Sequence, residues 1–338
     1  MNTSATDNPP IASATPRLPL AHYRVRFRAQ QTVRLPPYSG STWRGAFGHA
    51  LRAAACATGA ATCSGCLLYA SCVYPYLFET APPPDSVKMR RYNRVPHPFV
   101  LRPLPAEQAR ASGTRQTLLL TVFGHANRAL PYFFHALEQA AHNGIGAGRT
   151  PMTLMGVDQR PQPGSGEWEI IHEPQAPLQP LPPAEPAVPA LPPGLVVELL
   201  TPLRLQSGGR QVGAADFTFA DLFANLLRRV SMLTHFHTDT PLETDFAGLI
   251  RQARDVGWTQ TRVHWHDWAR YSSRQKTHVP MGGLMGQVAL SADALAPFWP
   301  YLWLGQWCHA GKGTSMGLGA YRLAFDKLAE QTPDEGCG

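Results

Sequence analysis

Residues 311–319 read Gly-Lys-Gly-Thr-Ser-Met-Gly-Leu-Gly and lie between an apolar helix-like segment and a short strand-like one. Residues 142–148, His-Asn-Gly-Ile-Gly-Ala-Gly, occupy a similar position earlier in the chain. Two copies of one glycine-rich turn predict two related domains. Glycine is also common at ordinary connections between helices and strands, so each copy is compatible with a simple flexible loop.

The same order of predicted elements surrounds both turns. Alternating apolar residues predict strands, and apolar residues three and four positions apart predict helices. In the first half these are a strand at 23–28, a helix at 42–58, a strand at 118–123, a helix at 130–141 and a strand at 152–157. In the second half they are a strand at 195–200, a helix capped by Thr218 and Asp221, strand-like stretches within 263–290, a helix near 295–302 and a strand at 321–325. Strand, helix, two strands, helix, strand is the ferredoxin-like order.

The predicted fold class is therefore α+β, with two tandem ferredoxin-like (RRM-like) domains. Eleven prolines from Pro161 to Pro193 predict a semi-rigid, Pro-rich linker between them. The predicted boundaries are a disordered tail at 1–18, the first domain at 19–158, the linker at 159–194, the second domain at 195–328 and a tail at 329–338.

The positive charge is concentrated in one half of the chain. Residues 1–150 carry 16 Lys and Arg against 5 Asp and Glu, a net charge of +11, whereas residues 151–338 carry 14 against 18, a net of −4. Arginine-rich charge interleaved with aromatic residues is typical of a polyanion-binding protein. The alternative is a basic, solvated surface.

The predicted nucleic-acid contacts come from both domains. On the first strand Arg24, Arg26 and Arg28 share one face, opposite Tyr23, Val25 and Phe27. In the second domain we expect contacts from Arg270, Arg274, Lys276 and the glycine loop residues Gly311, Lys312, Gly313, Thr314 and Ser315. The loop leaves its backbone N–H groups open to an anion. It lacks the upstream glycine of a P-loop, which argues against a nucleoside triphosphate site.

The first helix carries the residues best suited to chemistry. By helical geometry, His49, Arg44 and Arg52 lie away from the apolar stripe, with Gly45 and Gly48 opening that side. An imidazole can transfer protons near neutral pH, and arginines can stabilise charge on a phosphodiester. An exposed histidine beside solvated arginines is the plainer interpretation.

Four of the six cysteines, Cys56, Cys63, Cys66 and Cys72, lie close together in the sequence. The Cys-x2-Cys pair within this set predicts a structural zinc site. Reduced structural cysteines and an iron–sulfur cluster remain alternatives. Six cysteines are too few for a disulfide scaffold and favour a reducing, cytoplasmic setting. The sequence contains no apolar run long enough to span a membrane and no apolar secretion-signal segment at its N-terminus.

The chain resembles CRISPR precursor-RNA processing endoribonucleases of the RAMP superfamily, in their cysteine-bearing branch. The resemblance rests on residues 42–52 (Thr-Trp-Arg-Gly-Ala-Phe-Gly-His-Ala-Leu-Arg), the cysteine motif with residues 72–79, residues 268–275, residues 282–286 and the terminal glycine loop. It implies two ferredoxin-like domains that cleave CRISPR repeat RNA without a catalytic metal. In that reaction a ribose 2′-hydroxyl attacks the adjacent phosphate and leaves a 2′,3′-cyclic phosphate.

The resemblance also implies site residues and partners. His49 matches the family's histidine, and Tyr38 is the candidate tyrosine. The chain has no lysine two turns after His49, so Arg44 and Arg52 are the available cations. The implied partners are precursor and mature CRISPR RNA and subunits of a CRISPR effector complex. The competing hypothesis is a non-catalytic RAMP subunit that binds CRISPR RNA within such a complex.

Overall fold

Two antiparallel sheets, each with two helices packed on one face, form the body of the molecule. A computed structural model describes residues 15–29, 31–80, 95–105, 107–109, 113–272 and 277–325. The first half contains strands β1 (Leu20–Ala29), β2 (Phe99–Pro103), β3 (Glu107–Ala109), β4 (Gly113–Phe123), β5 (Thr153–Gln159) and β6 (Glu169–His172), with helices α1 (Gly40–Ala55) and α2 (Leu130–His142). The second half contains β7 (Gly194–Leu203), β8 (Gln206–Ser207), β9 (Arg210–Gln211), β10 (Gln260–His266), β11 (Ala269–Ser272), β12 (Thr277–Pro280), β13 (Gly283–Ser291) and β14 (Tyr321–Phe325), with helices α3 (Phe219–His237), α4 (Phe246–Ala253) and α5 (Trp299–Cys308).

The strand orders confirm the predicted fold class. The first sheet runs β2-β4-β1-β5-β6 and the second runs β10-β13-β7-β14. In each repeat the first and third strands of the β-α-β-β-α-β unit are central and the second and fourth lie outside them. Two tandem ferredoxin-like units are therefore present.

The alternation along β1 orients the first sheet. Tyr23, Val25 and Phe27 are at most 2% exposed. Phe27 lies against Trp43 of α1, with ring centroids 5.0 Å apart. The basic residues between them consequently face the other side of the sheet. Helix α1 begins two residues earlier than predicted and ends at Ala55.

The start of α3 has the predicted capping box. The Asp221 amide donates to the Thr218 hydroxyl oxygen at 3.2 Å, and the Thr218 amide donates to the Asp221 carboxylate at 3.2 Å. Two of the amides that a helix start leaves without a partner are thereby satisfied.

The two domains pack directly against each other. Leu18, Leu20, Val100 and Phe123 come from the first half of the chain but belong to the core of the second domain. Gly40, the first residue of α1, abuts the backbone carbonyl of Met316 in the glycine loop; a Cβ at Gly40 would lie 1.8 Å from that oxygen. This junction places the start of α1 on the second domain.

His237, at the end of α3, also joins the domains. Its Nε2 lies 2.9 Å from the Pro96 carbonyl oxygen, and its Nδ1 lies 3.3 Å from the Tyr76 hydroxyl. Burial lowers the pKa of His237 to about 4. The neutral ring satisfies both contacts, with Nε2 donating and Nδ1 accepting.

The Pro-rich segment is held on both domains. Strand β6 lies within it and pairs with β5. Leu20 and Ala184 exchange backbone hydrogen bonds, and the Trp299 indole donates to the Pro189 carbonyl at 2.7 Å. The segment 159–194 is thus anchored at several points, although most of its residues from 173 to 190 are exposed.

The described part of the N-terminal tail is ordered, since Leu18 is fully buried and Arg17 pairs with Glu185 at 3.1 Å. The rest of that tail, 1–14, and the predicted tail at 329–338 lie outside the described residues. Among the helices that the structure describes, none combines the length and apolar character needed to cross a bilayer.

Candidate RNA interface and cleavage site

His49 lies on the exposed side of α1. It shares that side with Gly45, where a Cβ would meet no neighbouring atom within 4 Å. Gly48, in contrast, is buried, and a Cβ there would lie 2.7 Å from the ring of Phe78. Only Gly45 therefore opens the face beside His49, which corrects the expectation for Gly48.

Arg44 turns toward the loop that precedes β2. Its guanidinium donates to Nε2 of His97 at 2.7 Å and stacks over the Phe78 ring at 4.9 Å. A guanidinium can only donate, so His97 accepts through a neutral Nε2. These contacts orient Arg44 toward His97 and away from His49's exposed side.

Arg52 is tied to the cysteine loop. Its Nη2 donates to the carbonyl oxygens of Ala60 and Ala61 at 2.6 and 2.8 Å, and its guanidinium lies 5.9 Å from the centre of the Tyr74 ring. The sequence predicted that Arg44 and Arg52 flank His49. The structure instead directs each arginine to its own partner, Arg44 to His97 and Arg52 to carbonyls of the cysteine loop.

Tyr38 contacts the second domain. Its ring lies 5.0 Å from Trp268 and 5.7 Å from His266, measured between ring centroids. Burial raises the pKa of the Tyr38 phenol, so the hydroxyl is protonated at neutral pH. Nothing in the sequence indicated this contact, because His266 and Trp268 belong to the other domain and lie far away along the chain.

Two of the three β1 arginines share one buried carboxylate, which offsets only one of their two positive charges. Asp158 of β5, 1% exposed, accepts from Nε of Arg24 at 2.7 Å and from Nη2 of Arg26 at 3.0 Å. Arg28 lies opposite Arg115 of β4 in the strand register, and its buried Nε has no hydrogen-bond partner. Like charges at directly opposite positions destabilise a sheet, and a bound anion would relieve their repulsion.

Trp168 is a residue of this face that sequence analysis missed. The guanidinium carbons of Arg24 and Arg160 lie 4.7 and 4.6 Å from the centre of its ring, and His22 lies 5.5 Å away between ring centroids. Burial, together with the charges of Arg160 and Arg102, lowers the pKa of His22 to about 3. The face therefore combines aromatic surface with fixed positive charge. Trp168 is the only tryptophan in residues 159–194, and this was the feature of the sequence that could have indicated it as a contact residue.

The glycine loop is largely enclosed. Thr314 and Ser315 are 7% and 9% exposed. The amides of Lys312 and Gly319 donate to backbone carbonyls of residues 204 and 202. Further amides, at Met316, Gly317 and Leu318, donate within the loop. Most of these N–H groups thus close the loop onto its own domain, contrary to the expectation that they are open to an anion.

The other predicted RNA-contact residues differ in how accessible they are. The Lys312 side chain is exposed, and Gly311 and Gly313 are partly buried with φ of 76° and 82°, a conformation that favours glycine. Arg270 is partly buried, and its Nε has no hydrogen bond. Arg274 and Lys276 lie outside the described residues.

The four clustered cysteines line one small cavity of about 20 Å³. Burial and the neighbouring Glu79 raise the pKa of Cys63, whereas hydrogen bonds, first from the Gly59 backbone, lower that of Cys56. Among the described residues, no three Cys, His, Asp or Glu side chains lie close enough together to hold a metal ion. The thiols share a cavity without forming a ligand set, so zinc stays a prediction.

Comparison with known proteins follows the same domain division. A family model described as CRISPR-associated endoribonuclease Cas6 matches residues 197–321, and a model of an N-terminal domain matches residues 18–183. A search of curated proteins found no match.

Solved structures share the fold. A Cas6 product complex has 17% identity and a TM-score of 0.53, with 90% of this chain and 99% of that chain covered. A partial Cas6-RT-Cas1–Cas2 complex has 13% identity and a TM-score of 0.55, with 93% of this chain and 47% of that chain covered.

These structural matches agree with the domain models along nearly the whole described chain. Membership of a cysteine-bearing branch stays a prediction. Residues 197–321 therefore match the CRISPR-associated endoribonuclease Cas6 family model, and nearly the whole chain has the fold of a solved Cas6 structure.

Proposed function

We propose that this protein cleaves precursor CRISPR RNA within its repeats and releases mature guide RNAs. The observation that carries the proposal is His49, an exposed imidazole on α1 of a Cas6-type fold, next to a glycine that leaves room for a substrate. The basic first half of the chain supplies the charge that an RNA backbone requires.

The reaction uses the RNA's own nucleophile. The ribose 2′-oxygen attacks the adjacent phosphorus, a P–O2′ bond forms, and the bond from phosphorus to the 5′-oxygen breaks. His49 accepts the proton from the 2′-hydroxyl, and the departing 5′-oxygen takes a proton to become a hydroxyl. The products are a 2′,3′-cyclic phosphate and a 5′-hydroxyl. Because the nucleophile is internal to the substrate, these steps need no metal-bound water.

Tyr38 is our candidate donor of the second proton. The raised pKa of its phenol keeps the proton on the hydroxyl at neutral pH. Tyr38 lies two residues before the first residue of α1, and His49 lies in the third turn of the helix. The scissile phosphodiester would therefore lie along the helix, between the two side chains.

Arginines would hold the substrate rather than transfer protons, since a guanidinium stays charged at neutral pH. Arg28 and Arg115 offer an anion site on the open face of the first sheet, and Trp168 offers a ring beside Arg24, further along the same strand. Arg44 and Arg52 contribute indirectly: Arg44 positions the loop that contains His97, and Arg52 positions the cysteine loop.

Cleavage assays with repeat RNA in EDTA test the proposal. His49→Ala should lower the single-turnover rate by about 100-fold or more and leave affinity within a few-fold. His135→Ala, which removes another exposed helical histidine on α2, is the matched control and should cleave normally. Tyr38→Phe keeps the ring contacts with Trp268 and removes only the hydroxyl, so a rate loss would be specific to proton transfer.

A substrate with 2′-deoxyribose at the cut site should bind and resist cleavage, because only RNA carries the nucleophile. Cleavage of that substrate, or dependence on a divalent metal, would refute the mechanism. The second candidate, a non-catalytic RNA-binding subunit of an effector complex, predicts binding without any cleavage of the all-ribose repeat.

A further inference from the structure

His309 has a backbone conformation that is nearly exclusive to glycine. The residue follows directly after α5 and precedes the glycine loop, with φ of 58° and ψ of 164°. A Cβ crowds the neighbouring backbone in this region, so residues other than glycine are strained there. The side chain is buried, with 3% of the residue exposed. Strain of this kind persists only where the surrounding structure holds the residue, and it concentrates at functional sites.

The imidazole of His309 closes the base of the glycine loop. Its Nδ1 lies 3.1 Å from the carbonyl oxygen of Leu318 and donates to it, because a carbonyl can only accept. Next to this bond, the Ala310 amide donates to the Gly319 carbonyl at 3.0 Å. Burial is the main reason that the pKa of His309 lies well below its ordinary value, so the ring is neutral and keeps its proton on Nδ1.

Thr201 of β7 makes a second side-chain bond to the same end of the loop. Its hydroxyl donates to the Gly317 carbonyl at 2.8 Å and accepts from the Ala320 amide at 2.9 Å. Two side chains of the second domain thus fix the carbonyl groups of two consecutive loop residues. Because peptide planes are linked in series, these bonds also limit how the residue before them, Met316, can turn.

The Met316 carbonyl faces the start of α1. The Gly40 hydrogen that a Cβ would replace points at this oxygen, since the added Cβ would lie 1.8 Å from it. The loop is also close to β2 of the first domain, where a Cβ at Gly317 would lie 2.7 Å from the Leu101 carbonyl oxygen. Backbone contacts this close leave little room for a shift. The conformation of the loop therefore sets where α1 begins.

We propose that His309 is a positioning residue for RNA cleavage, which fixes the glycine loop in the conformation that places α1 and its His49. This role rests on the proposed function, in which His49 and Tyr38, at the start of the same helix, act on one phosphodiester. Because His309 is buried, it acts through the loop and does not touch the substrate. A displacement of catalytic groups by about 1 Å can lower a reaction rate about 100-fold, so a small movement of α1 is sufficient for a large effect.

Three substitutions at His309 separate its hydrogen bond from its backbone conformation. His309→Gly removes the imidazole and relieves the strained backbone, whereas His309→Ala removes the imidazole and keeps a Cβ in place. His309→Asn keeps an N–H donor near the position of Nδ1 and tolerates positive φ better than most residues. The single-turnover rate at saturating protein should fall about tenfold or more in the first two variants. In His309→Asn it should return to within a few-fold of the wild-type rate, and His309→Gly should melt at a higher temperature than His309→Ala.

Two further positions control for general damage to the core. Cys308→Ala removes the neighbouring buried side chain and leaves both loop bonds intact; it should lower the melting temperature without changing the rate at saturation. Thr201→Val removes the second loop bond and should slow cleavage as His309→Gly does, whereas Thr201→Ser keeps the hydroxyl and should not. All rates are measured well below the melting temperature of each variant, so that only folded protein is compared.

A double-mutant cycle tests the link to α1 without any cleavage. Gly40→Ala should lower the melting temperature less in the His309→Gly protein than in the wild type, because a released loop can yield to the added Cβ. Additive losses in the cycle would overturn the inference, and so would wild-type rates at saturation in both His309→Gly and His309→Ala. If the wild type cleaves no repeat RNA, the proposed function fails, and the cycle alone decides whether His309 places α1.

Discussion

Gly40→Ala tests whether the glycine loop serves as a docking surface for α1. A Cβ at this position would lie 1.8 Å from the Met316 carbonyl oxygen and 2.7 Å from its carbon. Contacts under 3.0 Å are essentially never seen for a Cβ, so the helix start and the loop would have to move apart. Both partners are backbone, and neither can rotate out of the way.

The magnitude follows from two opposing effects. Forced overpacking costs about 1–3 kcal/mol, whereas replacing glycine with alanine in a helix gains about 0.5–1 kcal/mol. The clash wins, and we expect a net loss of about 1–2 kcal/mol. Because the unfolding entropy grows with chain length, that loss lowers the melting temperature of a 338-residue chain by about 1–3 °C.

Gly45→Ala is the matched control on the same helix. A Cβ at Gly45 meets no atom within 4 Å, so only the helix gain remains, and the variant should be about 0.5–1 kcal/mol more stable than the wild type. Both variants are compared by thermal and urea denaturation. A Gly40→Ala protein as stable as Gly45→Ala would show that the loop does not support α1.

Three further predictions concern charge, acid stability and metal. Asp158→Asn removes the carboxylate shared by two β1 arginines. It should destabilise the protein by about 1–3 kcal/mol, the cost of leaving a partly buried charge unpaired, and it should strengthen RNA binding. A variant of unchanged stability and unchanged RNA affinity would contradict this prediction. The folded-state pKa of His237, about 4, lies below its unfolded value, so the unfolded state binds the proton first and stability falls as pH drops from about 6.5 to 4. In the His237→Gln variant, the midpoint of urea denaturation should depend less on pH across that range. An unchanged pH dependence would refute the contribution of His237 to acid sensitivity. Protein purified without added metal should contain one zinc per chain, bound by the four clustered cysteines, and chelation should lower its melting temperature; zinc-free protein by elemental analysis would refute this.

The sequence by itself determined the local architecture. The alternation at 23–28, the apolar spacing of α1 and α3 and the Thr218–Asp221 capping box each depend on contacts within one element, and a single element's pattern is readable from its own residues. The doubled element order was sufficient to predict the two ferredoxin-like units. His49 was found on the exposed side of its helix for the same reason.

Only the tertiary structure decided which partners the charged groups have. Asp158 lies at the far end of the first domain's sequence from the β1 arginines with which it pairs, and Tyr38 meets aromatic residues of the other domain. The glycine loop, predicted as an open cradle for an anion, is instead closed by carbonyls of β7 and the residue after it, and it supports α1. A sequence shows that a side chain is charged or a turn flexible, but the acceptors that a donor meets are set by how distant segments pack.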